Sequence, residues 1–159
     1  MDRMASGVRL EAWESLLRVH AQVLGVLEAD LQHMSQMPLR WYDVLLELNR
    51  APGKRLRMTE LGERVVLSRS RISRVVEELE SEGLVGRQQD PLDRRSWFAC
   101  LTREGTSRFR RSAPHYLRGI QEQFGKHLRE QEAAAIRNGL GRVLEDAKCQ
   151  ETTGASRAP

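Results

Sequence analysis

In the run Leu67–Leu84, LSRSRISRVVEELESEGL, the charges stand in the reverse of the order that suits a free-standing helix. Ser68 is a favoured N-cap type and places the helix start there. A helix dipole favours acidic groups in the first turn and basic groups in the last. Here Arg69, Arg71 and Arg74 crowd the first two turns, and Glu77, Glu78, Glu80 and Glu82 fill the rest. Each misplaced charge costs only about 0.3–1 kcal/mol, so a functional demand can override it. A polyanion at the helix N-terminus is the simplest demand, because free N–H groups and arginines would both meet phosphate.

The surrounding chain places this helix in a recognisable order. Leu10, Trp13, Leu16, Leu17, Val23, Leu24, Leu27 and Leu31 recur at three and four, predicting a first helix from Val8 to about Met34. Pro38 breaks the pattern, and Leu39–Leu48 predicts a second helix ended by Ala51-Pro52-Gly53. An extended piece, Arg55–Met58, leads to Thr59 as N-cap of a short helix over Glu60–Val65. Val66 and Leu67 then turn the chain into the Ser68 helix. Gly83 suits the left-handed position after that helix, with Leu84 packing behind it. Val85–Gln89 and Ser96–Leu101 flank an Asp/Pro tip and read as a β-hairpin. Thr102 caps a fifth helix reaching about Leu128, with Pro114 expected to kink it. A sixth covers about Glu130–Ala147.

The face arithmetic on the charged helix is informative. At 100° per residue, Ile72, Val76 and Leu79 gather on one side with Val75 at its edge. Ser70, Arg74 and Glu77 point away, with Arg71 and Ser73 on the flanks. Helix, tight turn, helix and basic hairpin is the winged helix-turn-helix arrangement, in which the second helix enters the major groove N-terminus first. Arginine can grip guanine bidentately, and serine reaches base edges or phosphate. The hairpin adds Arg87, Arg94 and Arg95, and a basic wing tip suits a narrow minor groove. The bland alternative is a solvated face with an Arg74–Glu78 pair, and Asp93 paired to an arginine across the tip.

Charge distribution agrees. The 159-residue chain carries a net +4, but Arg50–Arg111 alone holds 15 Lys+Arg against 9 Asp+Glu. Basic character belongs to that stretch and fits a partner of negative charge. Cys100 and Cys149 make neither a disulfide framework nor a zinc motif. The four histidines show no metal-ligand spacing, so no metal or other cofactor is expected. No apolar run approaches 18 residues and no basic-then-apolar leader opens the chain, so a cytoplasmic protein without membrane partners is expected. Without a Gly-rich phosphate loop, nucleophile elbow or paired-carboxylate site, an enzyme is disfavoured.

On these features the chain resembles the MarR family of transcriptional regulators. The resemblance rests on Trp41-Tyr42-Asp43-Val44-Leu45, Glu60-Leu61-Gly62-Glu63, and Leu67–Leu84 ending in Glu82-Gly83-Leu84-Val85. Its most specific part is the wing pattern Asp93-Arg94-Arg95, five residues, then Leu101-Thr102. The resemblance implies a mainly α fold with a small β-hairpin wing. Its parts would be an N-terminal dimerisation helix (1–38), a winged helix-turn-helix domain (39–102), C-terminal dimerisation helices (103–148) and a disordered tail (149–159). It implies a homodimer built on the first, fifth and sixth helices. It implies major-groove readers at Ser70, Arg71, Ser73 and Arg74 beside Arg69, and a wing braced by Asp93. Either Arg94 or Arg95 would enter the minor groove.

The resemblance also implies a repressor of a pseudo-palindromic operator, relieved by a small, often aromatic, anionic effector. Trp13, His20, Trp41 and Arg57 are the candidate effector contacts, with His33 a further one. The urate-binding subgroup would match Trp13 and Arg95 but expects an aspartate where Glu77 stands. Peroxide sensing would need a cysteine near the start of the first helix, and none is there. The rival reading is a non-specific architectural or interaction protein, or a regulator indifferent to ligand. A base-sequence requirement separates it from the first.

Overall fold

The computed structural model describes the backbone of residues 7–65 and 69–155, and the side chains within those ranges except 69, 70 and 148–155. Helix α1 (Gly7–Ser35) is followed by α2 (Leu39–Arg50), a short 3-10 turn at Pro52–Lys54 and strand β1 (Arg55–Arg57). Then come α3 (Met58–Arg64), α4 (Arg69–Ser81), the hairpin strands β2 (Val85–Gln89) and β3 (Trp97–Leu101), α5 (Arg103–Gln123) and α6 (Glu130–Ala155). The fold is thus mainly α with a small antiparallel sheet, a winged helix-turn-helix.

The sheet has three strands in the order β1-β3-β2, with Leu56 opposite Ala99 and Arg87 opposite Ala99 on its other side. Alternation explains this register. Leu56, Val85 and Ala99 are buried, and Arg55 and Arg57 on either side of Leu56 face out. The extended piece at Arg55–Arg57 therefore completes a sheet, where the sequence offered only a hairpin.

Several local boundaries differ from the sequence reading. Helix α3 opens at Met58, and its N-cap position is Arg57 with no side-chain cap, so Thr59 lies inside the first turn and does not cap. Pro114 sits within α5 without ending it, and the helix stops at Gln123 before a 3-10 turn at Gly125–His127. Helix α6 continues to Ala155, past the expected end at Ala147 and into the stretch expected to be a disordered tail. The cap expected at Ser68 and the turn at Val66 and Leu67 lie outside the described residues.

The residues through Gly119 and those from Ile120 form two compact units. Leu31 of α1 and Phe109 of α5 share one buried cluster with Leu45, Leu61, Val76 and Leu79 of the winged helix-turn-helix. Tyr42 stacks at 5.3 Å from Phe109 and 4.5 Å from Tyr116, tying α2 to α5. Burial, more than the neighbouring Tyr116, pushes the Tyr42 hydroxyl up to about 12. Gly105 is buried where a Cβ would run into the Leu84 carbonyl, so only glycine lets α5 approach the chain this closely.

In the second unit, α6 opens with Glu130 and Glu132 in its first turn, the order its dipole favours. Glu132 also accepts the backbone N–H of Arg129 at 2.9 Å, as in a helix cap. Ile136, Val143 and Leu144 stay exposed along it.

Candidate nucleic-acid interface

Helix α4 buries Ile72, Val75, Val76 and Leu79. Its end is fixed by a Schellman closure. Gly83 takes φ +69°, its N–H donates to Glu80 O at 2.9 Å, and the Leu84 N–H donates to Leu79 O at 2.9 Å. Burial of the apolar side leaves Arg71, Ser73 and Arg74 exposed near the other end. The side chains of Arg69 and Ser70 lie outside the described residues.

The two halves of α4 use their charges differently. Glu78 Oε2 accepts from Trp41 Nε1 at 2.8 Å and from the Arg40 guanidinium at 3.2 and 3.3 Å. These bonds hold its carboxyl below the usual carboxylate range, with the Trp41 bond the main cause. Glu77 and Glu80 receive Arg87 of β2 at 3.5 and 3.3 Å, and Arg87 also donates to Ser73 O at 3.4 Å. The glutamates thus dock α4 against α2 on one side and the wing on the other. Arg74 reaches Glu78 Oε1 only at 3.8 Å and stays 83% exposed. Such an exposed pair contributes at most about 0–1 kcal/mol and leaves the guanidinium available.

The wing tip is held by two aspartates. Asp90, 2% exposed, receives the Leu92 N–H at 2.9 Å and the Arg57 guanidinium at 2.6 Å. Asp93 accepts the Ser96 hydroxyl at 2.6 Å and the Arg95 N–H at 3.0 Å. Those two bonds, the Ser96 bond foremost, hold the Asp93 carboxyl below its ordinary value. Asp93 therefore spends its oxygens on the turn itself and not on an arginine side chain. Arg94 and Arg95 stand exposed at the tip, with no ion pair among the described residues. The bland alternative, Asp93 paired to an arginine across the tip, is not what forms; the ion pair is made by Asp90 and Arg57 at its base.

The four expected effector contacts are not brought together. Arg57 is committed to Asp90 and lies 5.7 Å from the Phe98 ring. Trp41 is committed to Glu78 on α4. Trp13 and His20 are exposed on α1, as is His33. A cleft of about 710 Å³ does open between α1, α2 and the α3–α4 region, lined by Leu24, Glu28, Asp43, Arg64 and Arg71 among others. None of the four lines it. Burial, reinforced by Glu47, raises Asp43 there to about 6.

Sequence reasoning missed the Arg57–Asp90 clamp, the Glu78 bridge and Arg87's attachment to α4. All three depend on how elements meet. Burial raises the Cys100 thiol above its ordinary value, the opposite of what a redox-active thiolate needs. Cys149 lies outside the described side chains. Among the described residues, no cluster of three His, Cys, Asp or Glu could hold a metal ion, and no helix is long and apolar enough to cross a membrane.

A helix-turn-helix with an arginine- and serine-bearing second helix and an arginine-tipped wing defines a winged-helix DNA-binding protein. Comparison with known proteins narrows the class. The MarR family model matches residues 35–96. Sco3205 of Streptomyces coelicolor, a MarR family transcriptional regulator solved in complex with DNA, is 31% identical, with 91% of each chain covered and a TM-score of 0.84. AbsC, a MarR family transcriptional regulator of the same organism, is 28% identical over 92% of this chain and 99% of its own, TM-score 0.84. The S. coelicolor regulator PcaV, solved in complex with its natural ligand, is 30% identical over 92% and 97%, TM-score 0.67. A search of the curated proteins gives no match. The chain belongs to the MarR family and is a transcriptional regulator, not an enzyme.

Proposed function

We propose that this protein is a homodimeric repressor that reads a pseudo-palindromic operator and is relieved by a small ligand. The observation that carries the reading is the unequal pairing along α4. Its glutamates are consumed by α2 and the wing, whereas Arg71 and Arg74 are left facing solvent with Ser73. Arg69, Ser70, Arg71, Ser73 and Arg74 would read the major groove. Arg94 and Arg95, on a tip shaped by Asp93, would meet the minor groove and its phosphates.

Exposed apolar groups support the dimer. Val8, Leu10, Trp13 and Leu17 on α1, and Val143 and Leu144 on α6, are each about half exposed or more. Such stripes favour burial against a second copy. A two-fold dimer gives each α4 a twin, with half-sites about 10 bp apart. The cleft lined by Asp43 and Arg71 is the favoured effector site, since a ligand there would touch the recognition helix directly. The natural ligand of PcaV is consistent with a ligand-responsive relative.

The test is titration onto a labelled duplex from upstream of the protein's own gene and onto a scrambled duplex, at two salt concentrations. We expect a preference of about a thousandfold, in line with specific regulators, and two chains per site. Equal and strongly salt-dependent binding to both would favour an architectural role instead.

A further inference from the structure

Operator reading by α4 and the wing leaves a second basic surface unused. A groove of about 850 Å³ lies where the Pro52–Lys54 turn meets the start of α5. Lys54, Arg103, Arg110 and Arg111 line it together with the hydroxyls of Thr106 and Ser107. Its one carboxylate, Glu104, is taken by Arg111 at 3.2 Å. Lys54 is steadied by a 3.1 Å bond from Nζ to Thr106 Oγ1. Arg103 and Arg110 are exposed and have no ion pair among the described residues. Arg103 also stands in the first turn of α5, where the dipole disfavours a cation.

We propose that this groove binds the DNA phosphate backbone away from the operator, as a second, sequence-indifferent contact; this rests on the DNA-binding reading above. The groove is open and lined by cations and hydroxyls, whereas small-molecule sites are enclosed and largely apolar. Those features match a polyanion's backbone, which needs charge and hydroxyl donors without shape complementarity to a base. Its place in the fold separates it from the operator contact. Lys54 precedes Arg55, which pairs with Cys100 near the base of β3, and α5 begins just past the same base. The wing tip lies at the far end of that five-residue strand, roughly 17 Å away at about 3.4 Å per residue. DNA in the groove is therefore flanking duplex bent back toward the protein.

The experiment uses the full-length protein and its R103Q/R110Q double variant. Both positions are exposed and outside α4 and the wing, and circular dichroism with a thermal midpoint checks that the variant is folded. Affinity is measured on a duplex of about 20 bp spanning two half-sites and on one extended by random flanks to about 50 bp. We expect the variant to match wild type on the short duplex and to bind the long one at least about tenfold more weakly at 0.1 M salt. Its log–log salt slope on the long duplex should fall by about 2, one unit for each lost cation. Equal affinity of variant and wild type for the long duplex overturns the proposal. An equal loss on both lengths also overturns it, by placing the arginines within the operator interface. Failure of the wild type to prefer operator over scrambled short duplex would count against the operator reading alone. The long-duplex comparison needs no sequence preference and still reads the groove.

Discussion

Helices α4 and α1 both carry a clear apolar stripe, and they meet opposite fates. The stripe of α4 is buried completely within its own chain, from Ile72 to Leu79. On α1 only Leu27 and Leu31 near the C-terminal end are buried, while Val8, Leu10, Trp13 and Leu17 remain open. Periodicity tells which residues seek burial; it does not tell what will cover them. The two helices therefore differ: α4 is held in place by its own chain, and α1 leaves its N-terminal stripe open.

Substitutions can sharpen or break that contrast. The largest effect is expected from Leu79→Ala, which should cost about 2–5 kcal/mol in urea unfolding. A loss below about 1 kcal/mol would mean that α4 is less firmly docked than its burial indicates. Leu17→Glu on the open stripe should raise the dimer dissociation constant about a hundredfold, near 2.8 kcal/mol, in sedimentation experiments. An unchanged sedimentation profile would move the dimer contact off α1. Arg74→Ala should leave the thermal midpoint unchanged and weaken operator binding by about 1–3 kcal/mol, with preference relaxed at one base pair. Equal losses on operator and random duplex would make it a phosphate contact only.

The smallest effect concerns pH. Between the ordinary aspartate value of 3.8 and about 6, the folded chain keeps a proton on Asp43 that the unfolded chain has released. Stability should therefore fall as pH rises through that window. Asp43→Asn removes the penalty, and should stabilise the protein at pH 7 by about 1–2 kcal/mol after allowance for partial solvent screening. At pH 3.5 the two proteins should unfold together. A constant difference across the range would locate the effect in packing and not in charge.

Much of this architecture was legible in the sequence because it rests on local rules. The stripe on α4, the Gly83 closure and the strands around Asp90-Pro91 each follow from spacing or backbone chemistry within a few residues. What escaped depends on elements meeting across the fold. Arg57 looked like an effector contact because its partner, Asp90, is 33 residues away. Glu78 looked like one half of a helical pair with Arg74, but its shorter bonds come from Arg40 and Trp41 on α2. Thr59 looked like a cap because hydroxyls often are; strand β1 runs directly into α3 and moves the start two residues earlier.

One hydroxyl has a mechanical consequence. Thr102 Oγ1 donates toward Gly83 O at 2.8 Å and Leu84 O at 3.0 Å, and accepts the Gly105 N–H at 2.9 Å. The last turn of α4 and the first turn of α5 are thereby pinned at a common pivot. From that pivot α4 extends for 13 residues, a lever arm of about 20 Å at 1.5 Å per residue. Tilting it by about 5° would swing its leading arginines by nearly 2 Å, about half the width of a base-pair step. A pivot that far from the reading end turns a small change of pitch into a miss.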